Sequence, residues 1–265
     1  ATSEVASING PAAWDITTGS PSIRVAVLDT GYRGHGDLIS RIVGGYDLIS
    51  DVSQANDSNG RDSDASDPGD FITAAEDNAG IFVDCCDSAA GGQACSSSWH
   101  GTHVAGTVGA VTNNGSAVSG VNWVSQIVPV RVLGKCGNFG NTDIADGIRW
   151  AAGIDIGGGV PVNTNPARVI NLSLGSPVAG ACSGTYQTAI DAAVTAGAVV
   201  VVAAGNDGSI ADYEPGNCNN VITVGAVRRD GGFADYSNYG PAVEVSAPGG
   251  QLNSGFDIGV LSTLN

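Results

Sequence analysis

The sequence predicts an α/β fold of three layers, in which a mostly parallel central sheet carries helices on both faces. Short β-branched runs alternate with helical patterns along the chain, and this alternation is typical of a parallel sheet. Several runs are apolar at consecutive positions, which indicates strands that are covered on both faces. The 265 residues, of which 42% are hydrophobic, suffice for a substantial core. No boundary divides the chain, and we predict a single domain over residues 1–265.

Six of the β-branched runs are predicted to be strands, and three of the segments between them are predicted to be helices. The strands are expected at residues 23–28, 41–46, 126–132, 169–174, 198–203 and 221–227. The helices are expected at residues 101–111, 141–152 and 185–196, with Asn141 or Thr142 as a cap of the second and Gly197 ending the third. In such folds functional groups gather at the carboxyl ends of the strands.

One stretch interrupts the alternation of strands and helices. It is acidic and rich in Asp, Ser, Asn and Gly, and it contains three of the six cysteines. Because it lies between a predicted strand and a predicted helix, we interpret residues 47–98 as an insertion within the domain rather than as a linker.

The charge balance excludes several classes of partner. Ten Lys and Arg against 26 Asp and Glu give a formal net charge of −16. A nucleic-acid-binding protein needs a basic face, and docking on anionic lipid needs one too. No apolar run approaches the length that spans a bilayer. We therefore expect neither nucleic acid nor a membrane among the partners.

The six cysteines indicate an oxidising compartment. Their even number, in an acidic chain that is poor in Lys and has no Met, favours disulfides over a metal site. There is no C-x-x-C pair, and the adjacent Cys85 and Cys86 would chelate zinc poorly. We predict a secreted protein in its mature form, after removal of signal and pro segments.

Two motifs carry groups that suit catalysis. Asp29, in Val-Leu-Asp-Thr-Gly, ends a buried strand, where an Asp can be catalytic or can cap the next turn. An aspartic protease would need a second such Asp, which is absent. His100 and His103 open a segment of small residues, His-Gly-Thr-His-Val-Ala-Gly, which suits a closely packed helix. A zinc protease would need Glu at position 101, which is Gly.

Together these motifs closely resemble those of subtilisin-like serine proteases of the bacterial extracellular type. Other segments are similar to family landmarks in the family's order, namely residues 132–134, 171–175, 203–206, 222–226 and 247–249. The resemblance implies a Ser-His-Asp triad in which His100 is the general base and Asp29 orients its imidazole. It also implies that Asn206 donates a hydrogen bond to the oxyanion. Without the resemblance, Asn206 would be an ordinary turn residue.

The resemblance further implies that a polypeptide substrate binds as an extended strand between two edges of backbone. The edges and the S1 pocket would comprise Gly137, Asn138, Phe139, Ser173, Leu174, Gly175, Ala203, Ala204 and Gly205. A propeptide or a protein inhibitor is a further partner that the resemblance implies. Asp212 and Glu214, in the loop expected near S1, leave a preference for a basic P1 residue open.

The family's nucleophile lies in a Gly-Thr-Ser-Met-Ala segment, and these 265 residues contain neither Met nor Gly-Thr-Ser. The resemblance thus implies a fold without its C-terminal part. We expect a serine endopeptidase whose nucleophile lies on a C-terminal fragment that stays bound. The alternatives are a shortened chain and a pseudoprotease, which would be a non-catalytic domain that binds peptide or calcium.

Calcium is the cofactor that the resemblance implies. The strong calcium loop of the family is matched by residues 111–118, where Asn114 would supply a side-chain oxygen and Thr112, Ser116 and Val118 backbone carbonyls. Asp37 would add a carboxylate. The acidic insertion is a second candidate, because a divalent cation would relieve the repulsion among its carboxylates, those of Asp57, Asp62, Asp64, Asp67 and Asp70. The alternative for this stretch is a solvated acidic loop.

The cysteine pairing is not fixed by sequence alone. In the fold of the resembled family, the loop that carries Cys136 should lie beside the segment before His100. We therefore expect two bridges among Cys85, Cys86, Cys95 and Cys136, and a third bridge that joins Cys182 to Cys218.

Overall fold

The computed structural model describes residues 6–80, 82, 85, 94–251 and 259–264. Within them, seven parallel strands form one sheet in the order β2-β3-β1-β4-β5-β6-β7. The strands are β1 (Arg24–Asp29), β2 (Tyr46–Asp47), β3 (Gln126–Arg131), β4 (Val169–Leu172), β5 (Val199–Ala203), β6 (Val221–Val227) and β7 (Val245–Pro248). The predicted α/β class and its parallel sheet are confirmed.

The described helices comprise three short and three longer segments. They are α1 (Gly10–Trp14), α2 (Val52–Ala55), α3 (Ala74–Asn78), α4 (His100–Gly109), α5 (Asn141–Ala151) and α6 (Gly184–Thr195), with 3₁₀ turns at Ile39–Arg41 and Lys135–Gly137. The three predicted helices correspond to α4, α5 and α6. Neither Asn141 nor Thr142 caps α5, because the N-cap is Gly140, which has no side chain to form a capping hydrogen bond.

The three long helices cover both faces of the sheet. From β1 the chain passes to β2 at one edge of the sheet and then to β3, which lies between β2 and β1. From β3 it crosses β1 to reach β4 and then β5. α4 contacts β1 and β3 on one face of the sheet, while α5 and α6 pack against each other on the opposite face. The order of the strands reverses at β1, so the end of β1 is a switch point, where α/β folds place their sites.

The two faces of the sheet are covered unequally. Toward α5 and α6 the core is continuous and includes the fully buried Val200 and Val202 of β5. The opposite face is packed by α4 only beside β1 and β3. Over β5 to β7 it lies open within the described residues, where Val199 is 45% exposed, Ile222 39% and Val245 49%. We call this surface, formed by Val199, Val201, Ile222, Val224 and Val245, the open face.

The prediction of a strand at residues 41–46 is wrong over most of its length. Gly44 and Gly45 have φ angles of 61° and 117°, so the backbone leaves the extended region before it reaches β2. The pairing with β3 is limited to a single bridge from Ile42 to Ile127 and to the two residues of β2, Tyr46 and Asp47. β7 was not predicted, because a four-residue run that ends in Pro is a weak strand signal.

Disulfides join distant segments. Cys182 is bonded to Cys218 with Cα atoms 5.0 Å apart, and this pairing confirms the prediction. Cys85 is bonded to Cys136 with Cα atoms 5.4 Å apart, and Cys95 is also disulfide-bonded. Both agree with the two bridges expected in this group, while Cys86 lies outside the described residues. None of the helices that the structure describes has the length and apolar character to cross a bilayer.

Arg131 ties the acidic insertion to the sheet. It ends β3 and is 1% exposed, and its guanidinium pairs with Asp47 and, at 2.7 Å, with Asp57. It also donates to the carbonyl of Ala55 in α2. Burial raises the pKa of Asp47 to about 7, against the lowering influence of Arg131. One buried cation therefore holds three points of the insertion against the end of β3.

Candidate active site

Asp29 and His100 form a hydrogen-bonded pair at the carboxyl end of the sheet. Asp29 ends β1 and is fully buried, and His100 is the first residue of α4. The Nδ1 atom of His100 lies 2.8 and 2.9 Å from the two carboxylate oxygens of Asp29. The same carboxylate accepts a 2.8 Å hydrogen bond from the backbone N–H of Thr30. The structure therefore brings the two predicted residues together across 71 positions of sequence.

The geometry assigns the two ring nitrogens of His100 different roles. A carboxylate only accepts hydrogen bonds, so Nδ1 carries the proton in the neutral ring and Nε2 is the basic nitrogen. The side chain of His100 is 46% exposed, whereas that of Asp29 is 0% exposed. The charge of Asp29 and its hydrogen bond raise the pKa of His100, against burial, and Asp70 and Asp67 raise it further.

Glycine lets α4 approach β1 closely enough for this pair to form. A Cβ at Gly101 would overlap the carbonyl oxygen of Gly31 and would lie 3.1 Å from the Cβ of Asp29. The small residues that follow His100 in the sequence are thus required by packing, as well as by the site.

Asn206 lies at the edge of a cavity of about 450 Å³ beside the open face. The cavity is lined by the ends of β5, β6 and β7 and also by Thr107 of α4. Ala203, Ala204 and Gly205 form part of its wall, and Ser173 closes it on the side of β4. These predicted residues therefore surround one concave site.

Asn238 holds the segment around Asn206, and the sequence analysis missed it. Its side chain accepts hydrogen bonds from the N–H groups of Asp207 and Ser209, at 2.9 and 3.1 Å, and donates to the carbonyl of Ala204 at 3.0 Å. Its own N–H donates to the carbonyl of Gly205. Asn238 is 1% exposed. No local pattern in the sequence identifies it, because its partners are about 30 residues away.

The two predicted substrate edges follow β3 and β4, the strands that flank β1. Gly137, Asn138 and Phe139 come after β3, and Gly137 lines a second cavity, of about 270 Å³, together with His100. After β4, Ser173 accepts a hydrogen bond from Asn171. Leu174 is 8% exposed, and Gly175 follows it. The strand order alone places the two segments on opposite sides of Asp29.

The acidic side chains near the expected S1 pocket have structural partners. One carboxylate oxygen of Glu214 accepts a 2.8 Å hydrogen bond from the N–H of Ser183, and the other lies 3.4 Å from the amide nitrogen of Asn141. The carboxylate of Asp212 accepts from Asn217 at 3.1 Å. Glu214 thus fixes the start of α6.

The loop expected to bind calcium does fold around Asp37. The Asp37 carboxylate is 3% exposed and contacts the side-chain amide of Asn114 and, at 3.3 Å, the N–H of Val118. The backbone carbonyl of Asp37 accepts a 2.7 Å hydrogen bond from Val111. In the parts of the chain that are described, no basic side chain forms an ion pair with Asp37.

The carboxylates of the acidic insertion, the second calcium candidate, each have a protein partner in the described structure. Asp57 pairs with Arg131, Asp62 binds Asn59, and Asp64 accepts from the N–H of Ser66. Asp67 accepts from Thr30 at 2.6 Å, and Asp70 accepts from Ser98. Among residues 6–80, 82, 85, 94–251 and 259–264, no group of three or more His, Cys, Asp or Glu side chains is arranged to hold a metal ion.

Comparisons with known proteins identify the family to which the chain belongs. Residues 20–264 match the Subtilase family. The chain is 51% identical over 261 residues to an extracellular protease of Xanthomonas campestris pv. campestris, an alignment that covers 98% of this chain and 41% of that protein. It is 44% identical over 253 residues to an extracellular basic protease of Dichelobacter nodosus, covering 93% and 39%.

Among solved structures, a protease from Pseudoalteromonas arctica PAMC 21717 superposes with a TM-score of 0.85 at 53% identity, over 96% of this chain and 70% of that one. The chain spans about two fifths of the length of the two bacterial relatives named above. A family match over residues 20–264, together with this similarity of sequence and fold, shows that the chain belongs to the subtilase family.

Proposed function

We propose that this chain provides the catalytic pair of a secreted serine endopeptidase that works through an acyl-enzyme. The observation that carries the proposal is the Asp29–His100 pair, in which a buried carboxylate holds Nδ1 and leaves Nε2 for proton transfer. The names of the relatives, which are extracellular proteases, support both peptide hydrolysis and secretion.

The residues at the site suit each proton and charge movement of acyl transfer. His100 Nε2 takes the proton of the serine hydroxyl as that oxygen attacks the peptide carbonyl, and returns it to the leaving amine. Asp29 keeps the imidazole oriented and stabilises its cationic form. The side-chain amide of Asn206 donates to the oxyanion, while Asn238 keeps its segment in place. Water then hydrolyses the ester by the same steps.

The nucleophilic serine is proposed to come from polypeptide outside these 265 residues. Ser98 and Ser262 both lie against α4, but their hydroxyls donate to Asp70 and to the carbonyl of His103, each at 2.6 Å. The open face supports the proposal. The consecutive apolar residues of its strands are typical of strands covered on both faces, and a segment packed on the open face would bury the side chains that are exposed there. A serine at the start of that segment would face the cavity that Asn206 borders.

Calcium is proposed at Asp37. The donor set fits, because the carboxylate is buried, no cationic side chain of the described residues pairs with it, and an amide side chain contacts it. With that amide turned over, the oxygen of Asn114 would face the same point as the carboxylate, and the backbone carbonyls of Thr112, Ser116 and Val118 would complete the ligands. A bound ion would neutralise Asp37 and stiffen this loop, away from the chemical steps.

The partners follow from the two substrate edges. An extended polypeptide would bind between residues 137–139 and 173–175 and would present its scissile bond to His100. A propeptide or protein inhibitor would occupy the same groove. Removal of signal and pro segments belongs to the same proposal, since it would expose the groove only after export.

A fluorophosphonate probe tests the function directly. The intact protein is treated with the probe, digested, and the modified residue is located by mass spectrometry. We expect labelling of a serine in a Gly-Thr-Ser segment, and no labelling after His100→Ala. Labelling of Ser262, or of no residue in a folded sample, would reject the proposal, and absence of labelling would favour a non-catalytic domain.

A further inference from the structure

Two carboxylates of the acidic insertion are linked to the start of α4, each through one hydroxyl group. The hydroxyl of Thr30 donates to Asp67 at 2.6 Å and accepts from the N–H of Gly101 at 3.0 Å. The hydroxyl of Ser98 donates to Asp70 at 2.6 Å and accepts from the N–H of His100 at 3.3 Å. The first two N–H groups of α4 are therefore each bound by a hydroxyl that a carboxylate holds.

The carboxylates determine which way each hydroxyl points. A hydroxyl has one hydrogen, and once this is given to a carboxylate its lone pairs are left to accept from the helix. Helix N-termini carry unpaired N–H groups and a partial positive charge, which both hydroxyls and nearby anions stabilise. The N-cap, Trp99, adopts a left-handed conformation with φ of 52° and offers no side-chain acceptor. The first N–H groups of α4 are thus satisfied by the hydroxyl oxygens of Thr30 and Ser98.

We propose, on the basis of the function proposed above, that Asp67 and Asp70 are positioning residues: through Thr30 and Ser98 they hold the first turn of α4 and so place the imidazole of His100 against Asp29. Neither carboxylate touches the imidazole in a described hydrogen bond, so neither is a catalytic residue. They act on the two backbone groups that flank the His100 Cα atom.

The surroundings of both carboxylates are built for a fixed position. Asp67 is 2% exposed, its other oxygen accepts from the N–H of Gly69 at 2.8 Å, and its N–H donates to the carbonyl of Tyr32. Asp70 accepts a second hydrogen bond from the N–H of Ser98, and its carbonyl accepts from Cys136. The carboxylate of Asp67 is thereby held by the backbone of Gly69, and that of Asp70 by the backbone of Ser98. The ionisable groups that act on His100 are Asp29 from β1 and Asp70 and Asp67 from the insertion.

The test separates the hydroxyl bridges from the fold. Thr30→Val and Ser98→Ala remove the hydroxyls, whereas Thr30→Ser and Ser98→Thr keep them, and Asp67→Asn and Asp70→Asn remove the charges. Asp51→Asn is the matched control, since Asp51 is an exposed cap of α2 in the same insertion and Asn caps equally well. In the intact protein, labelled with ¹⁵N-histidine, NMR follows the Nδ1–H of His100 and its titration.

We expect Thr30→Val, Ser98→Ala and both Asn variants to shift the His100 Nδ1–H resonance and to lower kcat about tenfold, with KM changed by no more than about twofold. Thr30→Ser and Ser98→Thr should retain the parent resonance. A resonance unchanged in both hydroxyl-deleted variants, or shifted equally by Asp51→Asn, would overturn the proposal. The NMR readout needs no turnover, so it decides the positioning role even if the fluorophosphonate experiment rejects the protease function.

Discussion

The side chain of Asn238 accepts a 2.9 Å hydrogen bond from the N–H of Asp207, the residue directly after Asn206. Asn238→Ala would leave this N–H, that of Ser209 and the carbonyl of Ala204 without their partner. We expect a loss of about 2 kcal/mol in the free energy of unfolding and a lower kcat, because the oxyanion donor is no longer held. Urea unfolding and steady-state kinetics measure both.

The control for this variant is Asn165→Ala. Among the described residues, the Asn165 side chain forms one hydrogen bond, of 3.5 Å, with the hydroxyl of Thr164. It should change neither quantity measurably. Equal effects of the two substitutions would mean that Asn238 has no special part in holding the segment.

Asn206→Ala should lower kcat about 10²–10³-fold with little change in KM, which is the loss known for the equivalent donor of subtilisin. An oxyanion donor acts mainly in the transition state, and its removal leaves substrate binding almost intact. Kinetics on a short peptide ester and a peptide amide measure the effect. A fall in kcat of less than about tenfold would remove Asn206 from the oxyanion site.

The pH dependence of kcat/KM should follow His100. The base must be neutral to act, and Asp29 raises its pKa above the ordinary 6.5. Activity should therefore increase with pH through a midpoint above 6.5. Asp29→Asn should lower kcat about 10⁴-fold and move the NMR titration of His100 to lower pH, since burial then remains and the anion is gone. A midpoint that Asp29→Asn leaves unmoved would contradict this coupling.

Removal of calcium should destabilise the protein through the Asp37 loop. At a free calcium concentration about 100 times Kd, a single site contributes about 2.7 kcal/mol, which EDTA would abolish and which appears as a lower Tm. Asp37→Asn should be insensitive to EDTA, while Asp51→Asn should respond like the parent protein. Asp64→Asn tests the other candidate site. If EDTA no longer lowers the Tm of Asp64→Asn but still lowers that of Asp37→Asn, the ion lies in the acidic insertion.

The open face should be buried in the intact protein. Ile222→Asp would then place a charge inside an apolar contact, and we expect a loss of several kcal/mol, about 3 or more, in the free energy of unfolding. Ile16, which is 87% exposed, provides the control: Ile16→Asp should unfold at the urea concentration of the parent. If both variants unfold alike, nothing covers the open face.

The alternation of strands and helices was readable from the sequence because it depends on local patterns. β6 was predicted with its observed limits, and β5 was predicted to within one residue of its start. Residues 41–46 were misassigned because Gly44 and Gly45 adopt left-handed conformations that a count of apolar residues does not detect. Coverage of both faces was inferred from consecutive Val residues in β5, and the structure shows only one face of β5 covered by described residues.

In the site, motifs identified Asp29, His100 and Asn206, since each sits in a short segment shared with a family. Asp67 and Asp70 were noticed too, but as members of an acidic cluster. Their partners, Thr30 and Ser98, are 37 and 28 positions away in the sequence. Only the pairing of the insertion with the segment after β1 brings those groups together. Contacts of this kind have no local signature.

The open face also bears on how the protein folds. Strands β4 to β7 join the sheet one beside the other, in chain order. Pairing of parallel strands closes long loops and is slow, and apolar surface that is exposed meanwhile promotes association between chains. Recovery of native protein should therefore depend on concentration: dilute refolding gives each chain time to cover β5 to β7 before it meets another.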